Sequence, residues 1–112
     1  METKMRLLLV ICLLFTSSVS ADYDSNFKGK VLEVLTYTTS SLILFKVESQ
    51  PSSHPLCTKF DYIAIAPETA PELKQIVYSR LLAAYAADEV VNNGHDGKDE
   101  CVGARMKVYR VG

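Results

Sequence analysis

The amino-acid sequence predicts a mainly β domain with one helix, folded as a five-stranded barrel of the OB type. Three observations favour this fold class. Short apolar segments rich in β-branched residues indicate strands, and one longer segment repeats its apolar residues at helical spacing. The helix follows the third of five strands, and the order β-β-β-α-β-β is that of an OB-type barrel. The alternative is an open antiparallel α+β sheet with the helix packed on one face.

Residues 1–21 have the three parts of a secretory signal peptide. Lys4 and Arg6 form the positive start, an apolar run extends from Leu7 to Phe15, and small residues lead to Ala21. A run of about nine residues is too short to span a bilayer, which needs about 17–25. We therefore predict cleavage after Ala21, a single domain over residues 22–112 without a membrane span, and a secreted or periplasmic location.

Three strands are predicted before the helix. A loose polar lead-in over residues 22–26 precedes the first strand at residues 30–37. A short polar break separates it from the second strand at residues 42–48, which favours a hairpin. The loop at residues 49–55 contains two prolines and three serines, and the third strand covers residues 59–66.

The helix is predicted over residues 70–87. Thr69 as N-cap and Glu72 three residues later have the spacing of a capping box, and Pro71 is tolerated in the first turn. We expect one apolar face to pack on the sheet. Its residues are Leu73, Ile76, Val77, Leu81, Ala84 and Tyr85.

Two further strands follow the helix. A short fourth strand is predicted at residues 89–92, and the pairs Asn93-Gly94 and Asp96-Gly97 indicate a turn or loop. The last strand, at residues 104–111, alternates polar and apolar side chains.

Cys12 is lost with the predicted signal peptide, so that Cys57 and Cys101 remain. An even pair of cysteines in an oxidising compartment indicates a disulfide, worth about 4 kcal/mol for a loop of this length. The alternative is a metal site that adds His54 and His95. The sequence lacks the close ligand spacing typical of zinc sites, so we predict neither metal nor cofactor.

Composition and motifs argue against several function classes. The chain has 12 basic and 13 acidic residues, which argues against nucleic acid or an anionic membrane as the main partner. There is no G-x-S-x-G motif. We interpret His54 as a surface histidine in a flexible loop and His95 as a solvated loop histidine. The oxygen-rich segment at residues 92–100 lacks EF-hand spacing and is interpreted as an acidic turn. We predict no catalytic residue.

Tyrosines are the candidate binding residues. Aromatic side chains on a barrel face can stack on sugars or bases, and Tyr37 and Tyr62 are predicted on adjacent strands. We therefore predict a ligand-binding face at Tyr37 and Tyr62, whereas the other tyrosines within predicted elements are expected in the core or half-buried. Asp61 is expected on the solvated face of the sheet; the alternatives are a pair with Lys59 or with a basic residue of the last strand, or a place in a binding cleft.

Most of the chain resembles a group of small exported bacterial proteins of unknown function. The resemblance rests on residues 29–31, 44–47 and 81–86, on Cys57 and Cys101, and on residues 108–111. That group looks OB-like and is more distantly similar to the barrel B subunits of bacterial AB5 toxins. Its members often carry a Trp after the first cysteine, where this chain has Phe60 and Tyr62. The resemblance implies no catalytic residue.

These observations together predict an exported, non-enzymatic binding or assembly module. A barrel face or sheet edge would bind a glycan, a peptide or a partner protein, and the module could form a homo-oligomer. Two alternatives remain: a structural or stress-related envelope protein, and, less favoured, a small exported hydrolase or inhibitor that uses the loops at His54 and His95.

Overall fold

The computed structural model describes residues 23–112, so the predicted signal peptide and its cleavage site lie outside the described residues. The strands and the helix follow the predicted order, with one additional two-residue strand. They are β1 (Ser25–Thr36), β2 (Ile43–Val47), β3 (Lys59–Ile65), α1 (Pro71–Ala86), β4 (Val90–His95), β5 (Cys101–Val102) and β6 (Arg105–Val111).

Strand β1 belongs to both halves of a closed barrel. Its first half pairs antiparallel with β4, and its second half pairs antiparallel with β2. A register shift between Val31 and Glu33 accompanies the change of partner. A β-carbon at Gly29 would clash with the backbone carbonyl of Glu48 and lie 2.8 Å from the Val47 side chain, so the close approach of the chain at the end of β2 requires glycine there.

The remaining pairings close the barrel. Strand β2 pairs with β3, β4 pairs with β6, and the short β5 forms a hairpin with β6. Parallel pairing of β3 with β6 joins the two ends of the sheet. This closed, mixed five-stranded barrel confirms the OB-like prediction over the open sheet.

The core fills the barrel and extends to the helix. Fully buried side chains come from β2, β3, β4, β6 and α1, and the largest are Phe45, Ile63, Leu81, Met106 and Val91. Burying a side chain of this size contributes about 1.5–3 kcal/mol. The helix packs against β1 and β6 and places Leu81 and Ala84 into the core, so it covers the barrel as predicted.

The predicted apolar face of the helix is too wide. Leu73, Ile76 and Tyr85 are 57%, 65% and 54% exposed, whereas Leu81 and Ala84 are fully buried. A helix laid against a small barrel contacts it along a narrow stripe, and apolar residues on either side of that stripe stay in solvent. Helical spacing alone does not show the width of the contact.

The predicted capping box is wrong. The N-cap is Ala70, which provides no side-chain cap, and the Thr69 amide instead donates to the Ala66 carbonyl in a preceding turn. Pro71 is the first helical residue, and a proline restricts the residue before it to extended backbone. The helix therefore begins one residue later than the capping box requires.

The predicted turn at Asn93-Gly94 is also wrong, because β4 continues through both residues to His95. The backbone of residues 93–95 pairs with Phe27, Asn26 and Ser25, which the sequence placed partly in a loose lead-in. Pairing on two sides overrides the local preference of Asn-Gly for a turn. Within residues 23–112, no helix is long and apolar enough to cross a bilayer.

Candidate functional site

Cys57 and Cys101 form a disulfide, as predicted. Their Cα atoms lie 5.7 Å apart, and the bond joins the segment before β3 to the start of β5. Cys57 is 2% exposed and belongs to the core. The bond therefore links the segments that precede and follow the helix in the chain.

His54 organises the loop beside this disulfide. Its Nδ1 atom accepts hydrogen bonds from the backbone amides of Leu56 and Cys57, at 3.0 Å and 2.9 Å. Its Nε2 atom therefore carries the proton and donates to the Asp96 carbonyl at 3.0 Å. His54 is half-buried in this loop, and its two ring nitrogens join two backbone segments.

Three of the four residues of the alternative metal site lie close together. Among residues 23–112, the ligand atoms of His54, Cys57 and Cys101 lie within 4.8 Å of one another. The two sulfur atoms are bonded to each other, and both nitrogens of His54 are hydrogen-bonded. His95 does not belong to this cluster.

His95 lies in the barrel wall and not in a solvated loop. It is 5% exposed, and its ring meets the Phe27 ring edge-on with centroids 5.3 Å apart. Burial lowers the pKa of His95, because it disfavours the charged imidazolium. Neighbouring Asn93 is fully buried opposite Phe27 and Val111, and both polar atoms of its side chain lack a partner among the described residues.

Tyr62 takes part in a network on the outside of the barrel. Its hydroxyl donates to Glu33 Oε2 at 2.7 Å, and the Lys46 ammonium lies 5.1 Å from the centre of its ring. Glu33 and Lys46 are direct cross-strand partners on β1 and β2. The hydrogen bond to Glu33 is the main reason why the pKa of Tyr62 is raised.

The neighbouring pair is Asp61 and Arg105. Two hydrogen bonds, each 3.0 Å long, join the guanidinium of Arg105 to the carboxylate of Asp61. This contact lowers the pKa of Asp61 to about 2. Of the pairings expected for Asp61, the structure has the one with a basic residue of the last strand.

Tyr37 lies in the loop after β1 and is 46% exposed. It directly follows the end of β1, four residues after Glu33, and an even spacing along extended backbone places both side chains on the same face. We call this surface the outer tyrosine face. It comprises Glu33, Tyr37, Lys46, Asp61, Tyr62 and Arg105.

Sequence reasoning missed a second polar cluster on β6. Lys107 Nζ lies 3.1 Å from Glu100 Oε2 and 4.8 Å from the centre of the Tyr109 ring. The Tyr109 hydroxyl also donates to Glu100. The alternation of β6 could have indicated this cluster, because Lys107 and Tyr109 share the face that carries Arg105, while Met106 and Val108 are buried.

A cleft of about 450 Å³ lies between the β1–β2 loop and the start of α1. The ammonium of Lys74 spans it, donating to the carbonyls of Ser41 at 2.7 Å and Pro67 at 2.8 Å. We call it the helix-end cleft. Its lining residues are Thr36, Ser41, Ile43, Pro67, Thr69, Pro71, Lys74, Gln75 and Tyr78. The sequence did not indicate this cleft, because its walls come from two stretches of the chain, residues 36–43 and 67–78, that are distant in sequence.

Comparison of the chain with protein-family models, with curated proteins and with solved structures finds no match. The resemblance to small exported bacterial proteins therefore stays a prediction. The structure agrees with the OB-like fold that the resemblance implies. The structure shows the architecture alone: the chain folds as an OB-like barrel with one helix.

Proposed function

We propose that the protein is an exported, non-enzymatic module that binds a glycan on the outer tyrosine face. The observation that carries this proposal is the combination of an exposed tyrosine with paired charges, at a position that OB-type barrels use for ligands. Tyr37 lies in the β1–β2 loop, and Lys46 and Tyr62 lie on β2 and β3. The corresponding loop and strands of OB-type barrels bind oligosaccharides and oligonucleotides.

The charges of the face favour a sugar over a nucleic acid. Glu33 and Asp61 balance Lys46 and Arg105, so the face has no excess of positive charge for phosphates. Carboxylates accept and ammonium or guanidinium groups donate hydrogen bonds, which suits the hydroxyl groups of a glycan. The half-exposed ring of Tyr37 offers an apolar surface for the C–H face of a sugar.

The two carboxylates of the outer tyrosine face are engaged in ion-pair and hydrogen-bond contacts, which favours binding without turnover. With a pKa of about 2, Asp61 stays ionised near neutral pH and is poorly suited to transfer protons there. Glu33 is engaged by Tyr62. The signal-like residues 1–21 and the Cys57–Cys101 disulfide support export, because disulfides persist in oxidising compartments.

The proposal is tested by exposing the purified domain, residues 22–112, to an array of neutral and acidic oligosaccharides. Calorimetry then measures the affinity of any retained glycan. Stacking on an aromatic ring is worth about 1–3 kcal/mol, so Tyr37→Ala should weaken binding about 5- to 140-fold. Tyr85→Ala is the matched control, because Tyr85 is similarly exposed but lies on the helix.

Retention of no oligosaccharide would overturn the proposal. Equal affinities for the Tyr37→Ala and Tyr85→Ala variants would also refute it, because the glycan would then bind elsewhere. Tyr62→Phe is a second probe of the face, since it removes the hydroxyl bonded to Glu33 but keeps the ring. We expect a smaller loss of affinity for this variant than for Tyr37→Ala.

A further inference from the structure

The helix-end cleft is separate from the outer tyrosine face, because the two share no residue. Its size and lining are those of a ligand site. Its volume of about 450 Å³ lies within the range of about 300–1,000 Å³ found for small-molecule sites. Its walls combine apolar surface from Ile43, Pro67 and Pro71 with hydroxyl groups and one amide. Such a lining fits a ligand with an apolar body and few polar atoms.

Lys74 is the one ammonium or carboxylate group in this lining. Its Nζ atom donates to two backbone carbonyls, which hold the side chain in place across the cleft. In the part of the chain that the structure describes, no carboxylate forms an ion pair with it. An ammonium has three N–H donors. The two carbonyls accept from two of them, and the third N–H of Lys74 can donate to a ligand.

The surroundings of Lys74 therefore favour an anion. Helix α1 begins at Pro71 on the wall of the cleft, and its N-cap Ala70 contributes no side-chain acceptor. Glu72 in the first turn offsets part of the positive charge at the start of the helix, so Lys74 supplies the main attraction for an anion. We infer that the helix-end cleft binds a small monocarboxylate with an apolar body, whose carboxylate pairs with Lys74 and whose hydrocarbon part contacts Ile43 and Tyr78.

The test compares a carboxylate with its neutral isostere on the folded domain, residues 22–112. The probes are 3-phenylpropanoate and 3-phenylpropanamide, and binding is followed by amide chemical shifts in two-dimensional NMR. A charge-assisted hydrogen bond should make the acid bind about tenfold more tightly than the amide. The largest shifts should occur at Thr36, Ser41 and Gln75.

Variants show whether this preference comes from Lys74. Lys74→Gln should remove the preference for the acid, and Lys74→Arg should retain it because the charge is kept. Lys28→Gln is the matched control, since Lys28 is an exposed lysine outside the cleft. Equal binding of acid and amide to the unmodified domain, shifts confined to other surfaces, or failure of both probes to bind at millimolar concentration would each overturn the inference.

A carboxylate can belong to a free small acid or to the end of a peptide chain. N-acetyl-L-phenylalanine separates these sources, because it adds a peptide group to the same apolar carboxylate. Tighter binding of N-acetyl-L-phenylalanine than of 3-phenylpropanoate assigns the cleft to a peptide terminus, and the reverse assigns it to a free acid. The inference does not rest on the glycan proposal, because Tyr37→Ala leaves every residue that lines the cleft unchanged.

Discussion

Replacing Leu81 by alanine tests whether the helix holds the barrel together. Leu81 is fully buried and belongs to the same core as Phe45 and Met106. Truncating a buried leucine removes its transfer free energy and leaves a cavity, at a cost of about 2–5 kcal/mol. A domain of this size has a free energy of unfolding of about 5–10 kcal/mol. Leu81→Ala should therefore remove a large part of its stability.

The neighbouring residue provides the control. Leu82 lies on the same helix but is 42% exposed. Both substitutions change leucine to alanine in a helix interior, so the effect of helix propensity is the same in the two variants. Leu82→Ala should change the free energy of unfolding by less than about 1 kcal/mol. The difference between the two variants then isolates the burial of Leu81.

Urea unfolding with the disulfide intact measures this difference. With an m-value of about 1.5 kcal/mol per molar urea, a loss of about 3 kcal/mol lowers the midpoint by roughly 2 M. The midpoint of Leu82→Ala should stay within roughly 0.7 M of the unmodified domain. Similar midpoints for the two variants would refute the reasoning, because the helix would then contribute little to the core.

Three further predictions concern the disulfide and two titratable groups. Replacing Cys57 and Cys101 by alanine should lower the free energy of unfolding by about 4 kcal/mol, because the bond closes a long loop between residues 44 positions apart. An unchanged urea midpoint would contradict this. Arg105→Gln should return the pKa of Asp61 from about 2 toward its ordinary 3.8 in a carboxyl NMR titration. The stability from this pair is present above pH 3.8 and is lost as the pH falls toward 2, so the variant should lose less stability in that interval. Burial lowers the pKa of His95, so the domain should lose stability as the pH falls below 6.5. His95→Phe should make the urea midpoint less dependent on pH, and an unchanged dependence would show that another group titrates there.

Elements with strong local patterns were predicted closely. The predicted limits of β2, β3, α1 and β6 agree with the structure to within one residue at each end. Alternation marks β3 and β6, β-branched and large apolar residues mark β2, and helical spacing marks α1, so each is encoded in its own segment. The disulfide was predicted from residue type alone, since two cysteines that remain in an oxidising compartment have one way to pair.

Strand residues without such patterns were missed. Residues 25–29 and 93–95 include polar residues and glycines, and they form strands because their backbones pair with each other. Burial of Asn93 and His95 follows from the same pairing, because their place in β4 turns them into the barrel wall. A local turn preference at Asn93-Gly94 could not compete with hydrogen bonds on both sides of the strand.

The sequence by itself determined the order of the elements, the limits of the strongly patterned ones and the pairing of Cys57 with Cys101, because these depend on short-range periodicity and on residue type. Only the tertiary structure decided closure by β3 and β6, the outer tyrosine face with Tyr62 bonded to Glu33, and the cleft around Lys74. These features join residues distant in the chain, and their geometry comes from the register and curvature of the barrel, which no single segment encodes.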